Sequence, residues 1–314
     1  MMKILVFKEK LKKIYSTHSL YIIPAIRFLA ALTSLLVINS NIGFMNKLDH
    51  PAAAIFIAAV CSFIPAGITV LILSVIILLN LYSLAVELAA VTLILMLVMF
   101  IVYYRFTPKD SYVLILVPVL FFLKIPYVIP LVAGIILTPV SVVSVSFGTI
   151  LYYIMKYTKE NAALIANSSA DAGLARIENL LNNIIKNKEM MLMIVVFSLV
   201  LIMVYVIKRL TIDHAHVIAI VSGGLTELVA IICAAFIMDI KSDPVWMIAV
   251  FAVLSTGIVY LLNIFILAVD YSRTEYTQFE DDEYYYYVKA VPKIKVTAPE
   301  VKVKHINVQR VKQR

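Results

Sequence analysis

SYVLILVPVLFFLKIPYVIPLVAGIILTP, residues 111–139, is apolar almost throughout, yet Pro118, Pro126, Pro130 and Pro139 interrupt it and Lys124 sits in its middle. A helix needs about 20 residues to cross a ~30 Å hydrocarbon core. Proline inside a helix removes a donor and clashes with the preceding turn. The stretch therefore reads as two short apolar pieces, SYVLILVPVLFFL and LVAGIILTP, joined through KIPYVIP at 124–130. Whether it crosses twice, re-enters or kinks as a single helix decides the topology of the whole chain.

The surrounding sequence sets the class. Of the 314 residues, 63% are hydrophobic and 15% charged, against about half and a quarter in a soluble domain. The apolar residues form long blocks without the ~10-residue alternation of barrel strands, which predicts an all-α polytopic membrane protein. Six long transmembrane helices are expected at 20–40, 84–104, 139–157, 190–208, 214–238 and 245–269. A second proline-broken region, 51–82, pairs AAAIFIAAVCSF with ITVLILSVIILLN through IPAG at 64–67. Both broken regions are expected to form short helical hairpins, re-entrant or spanning. The chain thus divides into a basic N-terminus (1–19), a membrane bundle with two hairpins (20–157), a loop (158–189), a three-helix membrane segment (190–269) and an acidic, tyrosine-rich and basic tail (270–314).

Charge placement constrains the hairpins. Lys3, Lys8, Lys10, Lys12 and Lys13 precede the first span, and the tail carries Lys289, Lys293, Lys295, Lys302, Lys304, Arg310, Lys312 and Arg314. Loops rich in Lys and Arg stay cytoplasmic, so both termini are expected there, in the cell membrane. The loops holding Arg105/Lys109 and Lys208/Arg209 belong on the same side. All of this agrees if each broken region contributes zero or two crossings: six spans with two re-entrant hairpins, or ten spans. The net charge of +8 follows from these flanks and from anionic headgroups, and calls for no nucleic acid. Cys61 and Cys233 lie in apolar blocks as small hydrophobes. In the loop, Leu174, Ile177, Leu180, Leu181, Ile184 and Ile185 recur at helical spacing after the SSAD run at 168–171, predicting an amphipathic helix over 172–187 that lies on the membrane surface or packs on its own protein, with a docking helix as the other reading.

Residues 51–104 and 110–157 share an order, a broken hairpin and then a long helix, with opposite orientation. Each has an Ile-Pro pair (Ile64-Pro65, Ile125-Pro126), a following glycine (Gly67, Gly134) and a tyrosine pair (Tyr103-Tyr104, Tyr152-Tyr153). This is the pattern of an inverted repeat, in which broken helices free backbone groups for a substrate near the bilayer midplane. Chance recurrence of common membrane residues is the other reading, since the spacings differ.

Ionisable groups inside a bilayer cost about 2.5–3.5 kcal/mol each on insertion scales. Glu227, in SGGLTELVA beside Gly223, Gly224 and Thr226, is the foremost candidate for a proton or cation site, against a buried carboxyl satisfied by a neighbouring helix. Glu87, Lys124 and the break residues Pro65, Gly67, Pro126 and Gly134 complete the pathway candidates. Lys124 either meets an anion in a cavity or snorkels to water. Asp213-His214-Ala215-His216 suggests a metal pair, but the two imidazoles point about 200° apart on a helix, and no further ligand cluster completes a site. No metal or cofactor is expected. No GxxxxGK[ST], GxGxxG, HExxH or GxSxG motif is present, so no enzymatic activity is expected either.

After the last span comes FEDDEYYYYVKAVPKIKV, residues 279–296. Its alternation in 284–289, 293–297 and 301–305 favours extended strand divided by Pro292 and Pro299. Tyr284, Tyr286, Lys289, Lys293 and Lys295 are candidates for docking a partner's sheet edge or lining headgroups, with a plain basic tail as the third reading. Together with YVIKRLTIDHAHVIAIVSGGL, residues 205–225, the tail resembles an uncharacterised group of multi-pass membrane proteins from anaerobic Gram-positive bacteria, many of them labelled ABC transporter permease. The resemblance implies transport with a separate ATPase chain and transfers no functional residue. The expected function is a permease moving an unknown substrate by alternating access around the hairpins. The alternative is a non-transporting scaffold whose tail recruits a cytoplasmic protein. The bilayer is the one certain partner, and oligomers fit either function.

Overall fold

The computed structural model describes residues 2–167, 173–212, 214–238, 245–266, 275–280, 283 and 285–290. The chain forms two units, one of residues 19–266 and one of residues 1–18 with 267–314.

The helices are α1 (Met2–Ile42, bent at His18, with only the part from residue 19 in the larger unit) and, within the larger unit, α2 (Asn46–Asp49), α3 (Pro51–Phe63), α4 (Ala66–Leu84), α5 (Val86–Phe106), α6 (Ser111–Phe122), α7 (Val128–Ile136), α8 (Val142–Asn167), α9 (Gly173–Ile185), α10 (Lys188–Lys208), α11 (Ala215–Met238) and α12 (Val245–Ile266). All six expected spans are present. A seventh helix, α4, is also long and apolar enough to cross a membrane. The protein is an all-α polytopic membrane protein.

Long-range hydrogen bonds show which helix ends lie together. Ser62 donates to the Pro24 carbonyl (2.8 Å), Arg27 to Tyr112 (3.3 Å), Tyr104 to the Gly67 carbonyl (3.4 Å) and Ser141 to the Asp110 carboxylate (2.5 Å). These residues define a proximal end. Asn39 donates to the Leu48 carbonyl (2.8 Å), the Met45 amide to Asn80 (3.1 Å) and Lys159 to Asn41 (2.6 Å), defining a distal end. With 13 residues, α3 descends from distal to proximal, and α4 and α5 traverse the bundle after it. By contrast, α6 leaves the proximal end at Ser111 and α7 returns to it, so residues 111–136 form a re-entrant hairpin.

The two broken regions therefore differ. In region 51–82 both helices run between the two ends of the bundle, and α4 is long enough to cross a membrane, whereas the helices of 111–138 turn back partway. The cause is where each second helix begins and stops. Pro65 is the N-cap of α4, a position where proline fits, so the helix starts at once and gathers 19 residues, about 28 Å at 1.5 Å per residue. In the hairpin, Leu137 turns extended (φ −100°, ψ −167°) ahead of Pro139, and α7 stops at 9 residues, about 14 Å. The inverted order survives in direction, α3–α4–α5 opposite to α6–α7–α8, but the lengths diverge: 13, 19 and 21 residues against 12, 9 and 26.

α8 is central, packing on α6, α10, α5 and α9. It runs through Asn167, so the first residues of the expected 158–189 loop are helix. The amphipathic helix forms as α9, and Leu180 and Ile184 bury into the core against α5 and α8. It packs on its own protein.

In the smaller unit, residues 275–290 fold as a hairpin of β1 (Glu275–Glu280) and β2 (Tyr285–Ala290), antiparallel with Thr277 opposite Val288 and Phe279 opposite Tyr286. The extended character read for 284–289 is present, but the strand pairs first with its own chain. The strands read at 293–297 and 301–305, and Tyr284, Lys293 and Lys295, lie outside the described residues.

Candidate functional site

The hairpin tip is built by a helix-ending motif. At the end of α6 the Ile125 amide reaches back to the Leu120 carbonyl and the Lys124 amide to the Phe121 carbonyl, both at 3.0 Å. This is a Schellman ending, and its C′ position needs a left-handed backbone, which glycine occupies most readily. That position is Lys124, with φ 61°.

Aromatic packing fixes the tip at depth. Phe121 stacks on Tyr152 of α8 with centroids 4.4 Å apart, and lies 5.8 Å from Phe197 of α10, while Phe122 meets Tyr152 edge-on at 4.8 Å. Tyr152 stands ten residues above the start of α8, about 15 Å along a ~30 Å core. The tip thus stops near mid-depth.

Between the tip and the distal end lies a cavity of about 610 Å³. Its aromatic wall includes Phe122, Tyr127, Tyr152, Tyr153 and Phe251; its charged groups are Lys124, Lys156, Lys159, Glu160 and Glu189. Lys156 and Glu189 form an ion pair at 3.1 Å with roughly a third of each side chain exposed, and Lys159 is held by Asn41 at 2.6 Å. The Tyr153 ring lies 5.4 Å from the Lys156 ammonium. Its hydroxyl, in a residue only 3% exposed, faces the Glu189 carboxylate. Among the described residues the Lys124 ammonium has neither a salt bridge nor a hydrogen bond.

The proximal side is closed. A Cβ on Gly148 of α8 would lie 2.6 Å from Val117 of α6, and one on Gly134 of α7 would lie 2.8 Å from Val204 of α10, so the hairpin is clamped at near-contact distances. Lys208 donates to the Ile135 and Leu137 carbonyls at 2.7 and 3.4 Å. It satisfies the open C-terminus of the short α7 with a cation at the negative end of the helix dipole. Thr107 bonds Ser144 and Tyr103 bonds Ser111, each at 2.7 Å, locking the α5–α6 turn to the start of α8.

The structure brings only part of the expected pathway together. Lys124 and Pro126 line the cavity. Gly134 serves helix packing, as do Gly223, which a Cβ would drive to 2.5 Å from Val204 and 2.8 Å from Leu131, and Gly224, at 2.2 Å from Thr256. Thr226 bonds the Ser222 carbonyl of its own helix (2.8 Å). Glu227 is 1% exposed and its Oε1 has no partner; it does not line the cavity. Pro65 caps α4, and Gly67 receives the Tyr104 hydroxyl at the proximal end. Glu87 sits in the first turn of α5, where an acid complements the dipole. Tyr286 and Lys289 are exposed on β2. Among the described residues no cluster of three or more His, Cys, Asp or Glu could hold a metal ion.

Arg27, two turns into the first span and expected to snorkel to water, instead reaches the carbonyl of Ile64 at the end of α3 (3.5 Å); sequence reasoning missed the group Tyr153, Lys156 and Glu189. The only signal for that group was the KYTKE run at 156–160, where an apolar helix turns polar. No family model, no curated protein and no solved structure matches this chain.

Proposed function

We propose that this protein is a permease of the cell membrane whose substrate site is the cavity above the α6–α7 hairpin. One observation carries the reading. A hairpin entering from the proximal end stops near mid-depth beneath a large, charged, aromatic-lined cavity that reaches toward the distal end. Such a barrier separates two sides at a binding site, the arrangement alternating access requires. The positive-inside rule puts the proximal end, with Arg105, Lys109, Lys208 and Arg209, in the cytoplasm, together with both termini. The structure then corresponds to the outward-open state. Glu227 remains the candidate coupling acid for a cation-driven cycle; an ATP-driven cycle calls for a separate ATPase chain.

The test uses a cysteine-free background, Cys61→Ala with Cys233→Ser, carrying Leu123→Cys at the tip. A membrane-impermeant maleimide should label the tip from outside, and from inside only in a second state that is protected outside. Labelling from both sides at once, or from neither, refutes alternating access.

The scaffold reading keeps one observation in its favour. Among the described residues the 275–290 hairpin has two strands, below the number that gives independent stability in water, and Tyr285 and Tyr287 are 69% and 76% exposed. A strand or face supplied by a cytoplasmic partner would complete it. Deleting 275–290 should leave tip labelling unchanged if the membrane unit transports by itself.

A further inference from the structure

The hairpin tip carries a lysine where its backbone asks for glycine. A left-handed residue with a Cβ is disfavoured by roughly 1–2 kcal/mol, and the Schellman ending of α6 places Lys124 in that conformation. The same side chain lines the 610 Å³ cavity near the middle of the membrane unit. Nothing in the packing of the tip requires an ammonium there, since Phe121 and Phe122 anchor it.

The charges around the cavity leave a vacancy of definite sign. Lys156 is matched by Glu189, and Lys159 is held by Asn41 with Glu160 as the adjacent acid. With three lysines against two glutamates lining the cavity, one positive charge is uncompensated, and among the described residues Lys124 is the cation without a partner. The Tyr153 hydroxyl on the same wall is turned to the Glu189 carboxylate, so that acid is occupied on two sides, by Lys156 and by Tyr153. The rest of the wall is aromatic, and its volume lies within the ~300–1,000 Å³ typical of small-molecule pockets.

We propose that the cavity binds an amphipathic organic monoanion, with Lys124 as the countercharge for its carboxylate or phosphate and the Phe and Tyr wall around its apolar body. The inference rests on the cavity being the permease's substrate site. The same chemistry is offered by a free aromatic acid and by the headgroup of an anionic lipid.

The experiment uses the full chain in nanodiscs of zwitterionic phosphatidylcholine. The probe is 1-naphthoate, and neutral 1-naphthamide is the control of equal shape. Titration calorimetry should show naphthoate binding at one site and the amide at least about tenfold weaker, because a charge-assisted hydrogen bond is the stronger kind. Lys124→Gly and Lys124→Asn both suit the left-handed backbone, so the fold should melt at or above the parent temperature while naphthoate affinity falls about tenfold or more.

Repeating the titration in nanodiscs containing phosphatidylglycerol separates the sources. Competition there, lost in Lys124→Asn, assigns the site to a lipid headgroup; no competition assigns it to a soluble acid. Equal binding of acid and amide, unchanged affinity in Lys124→Asn, or no binding together with no effect of the anionic lipid overturns the inference. Naphthoate binding without two-state labelling at Leu123→Cys keeps this inference and removes the permease reading; two-state labelling without anion binding does the reverse.

Discussion

Gly223→Ala separates a packing glycine from a pathway glycine. A methyl group at 223 would lie 2.5 Å from Val204 Cγ2 and 2.8 Å from Leu131 Cδ2, far inside van der Waals contact. Helix association in a bilayer depends on close packing of small residues rather than on the hydrophobic effect, so the substitution must push α11 away from α10 and α7. Overpacking of this kind costs about 1–3 kcal/mol. Val204 is fully buried, and Val204→Ala removes two of its methyls at roughly 0.5–1.5 kcal/mol each, again about 1–3 kcal/mol in total. In the double variant the new methyl occupies the space that the valine vacates. The pair should therefore fall short of additivity by about 1–3 kcal/mol, the size expected for residues in direct contact. Unfolding by SDS titration in mixed micelles, on the parent, both single variants and the double variant, gives the cycle. Additive losses, or a Gly223→Ala that melts like the parent while altering transport, would refute the packing role and return Gly223 to the substrate path.

Lys208→Met strands the Ile135 and Leu137 carbonyls at the end of α7, and should cost about 1.5–3 kcal/mol as a lost charged hydrogen bond. Lys208→Arg should recover much of it in the same titration. Breaking the half-exposed Lys156–Glu189 pair by Lys156→Met should cost only about 0.5–1 kcal/mol; a larger loss means the pair holds α8 to α10. Glu227→Gln should hold stability within about 1 kcal/mol, since the existing carboxylate oxygen already lacks a partner, and should abolish uptake if Glu227 couples it. Cation-coupled uptake that persists in this variant removes the acid from the mechanism. Hydrogen exchange across residues 275–290 should be fast in the isolated protein, as expected for a two-stranded hairpin, and a slow pattern would show that it is already covered.

Much of the fold was legible because it depends on local composition. Long apolar blocks fix six spans, and the 3.6-residue rhythm of Leu180 and Ile184 fixes α9. What the residues could not show was how far each broken region runs through the bundle. That depends on whether the helix after the break runs 19 residues or 9, and so on Leu137 leaving the helix before Pro139. The candidate site was legible in part. Lys124 and Pro126 stood out as a charge and a break inside an apolar run. Tyr153, Lys156 and Glu189 did not, because they come from the upper half of α8 and the first turn of α10 and meet only when those helices pack.

The sequence by itself determined the class, the sites of the helix breaks and the need for a partner for each membrane-embedded charge, since all three follow from the cost of unsatisfied polar groups in hydrocarbon. Only the tertiary structure decided how those groups are used. It made the glycines at 134, 223 and 224 into contact points, spent Lys208 on a helix end, and left Lys124 alone facing a cavity. The physical reason is that a glycine or a lysine is chemically the same residue in a seam, at a cap or in a pathway, and only the neighbours brought by long-range packing distinguish the three.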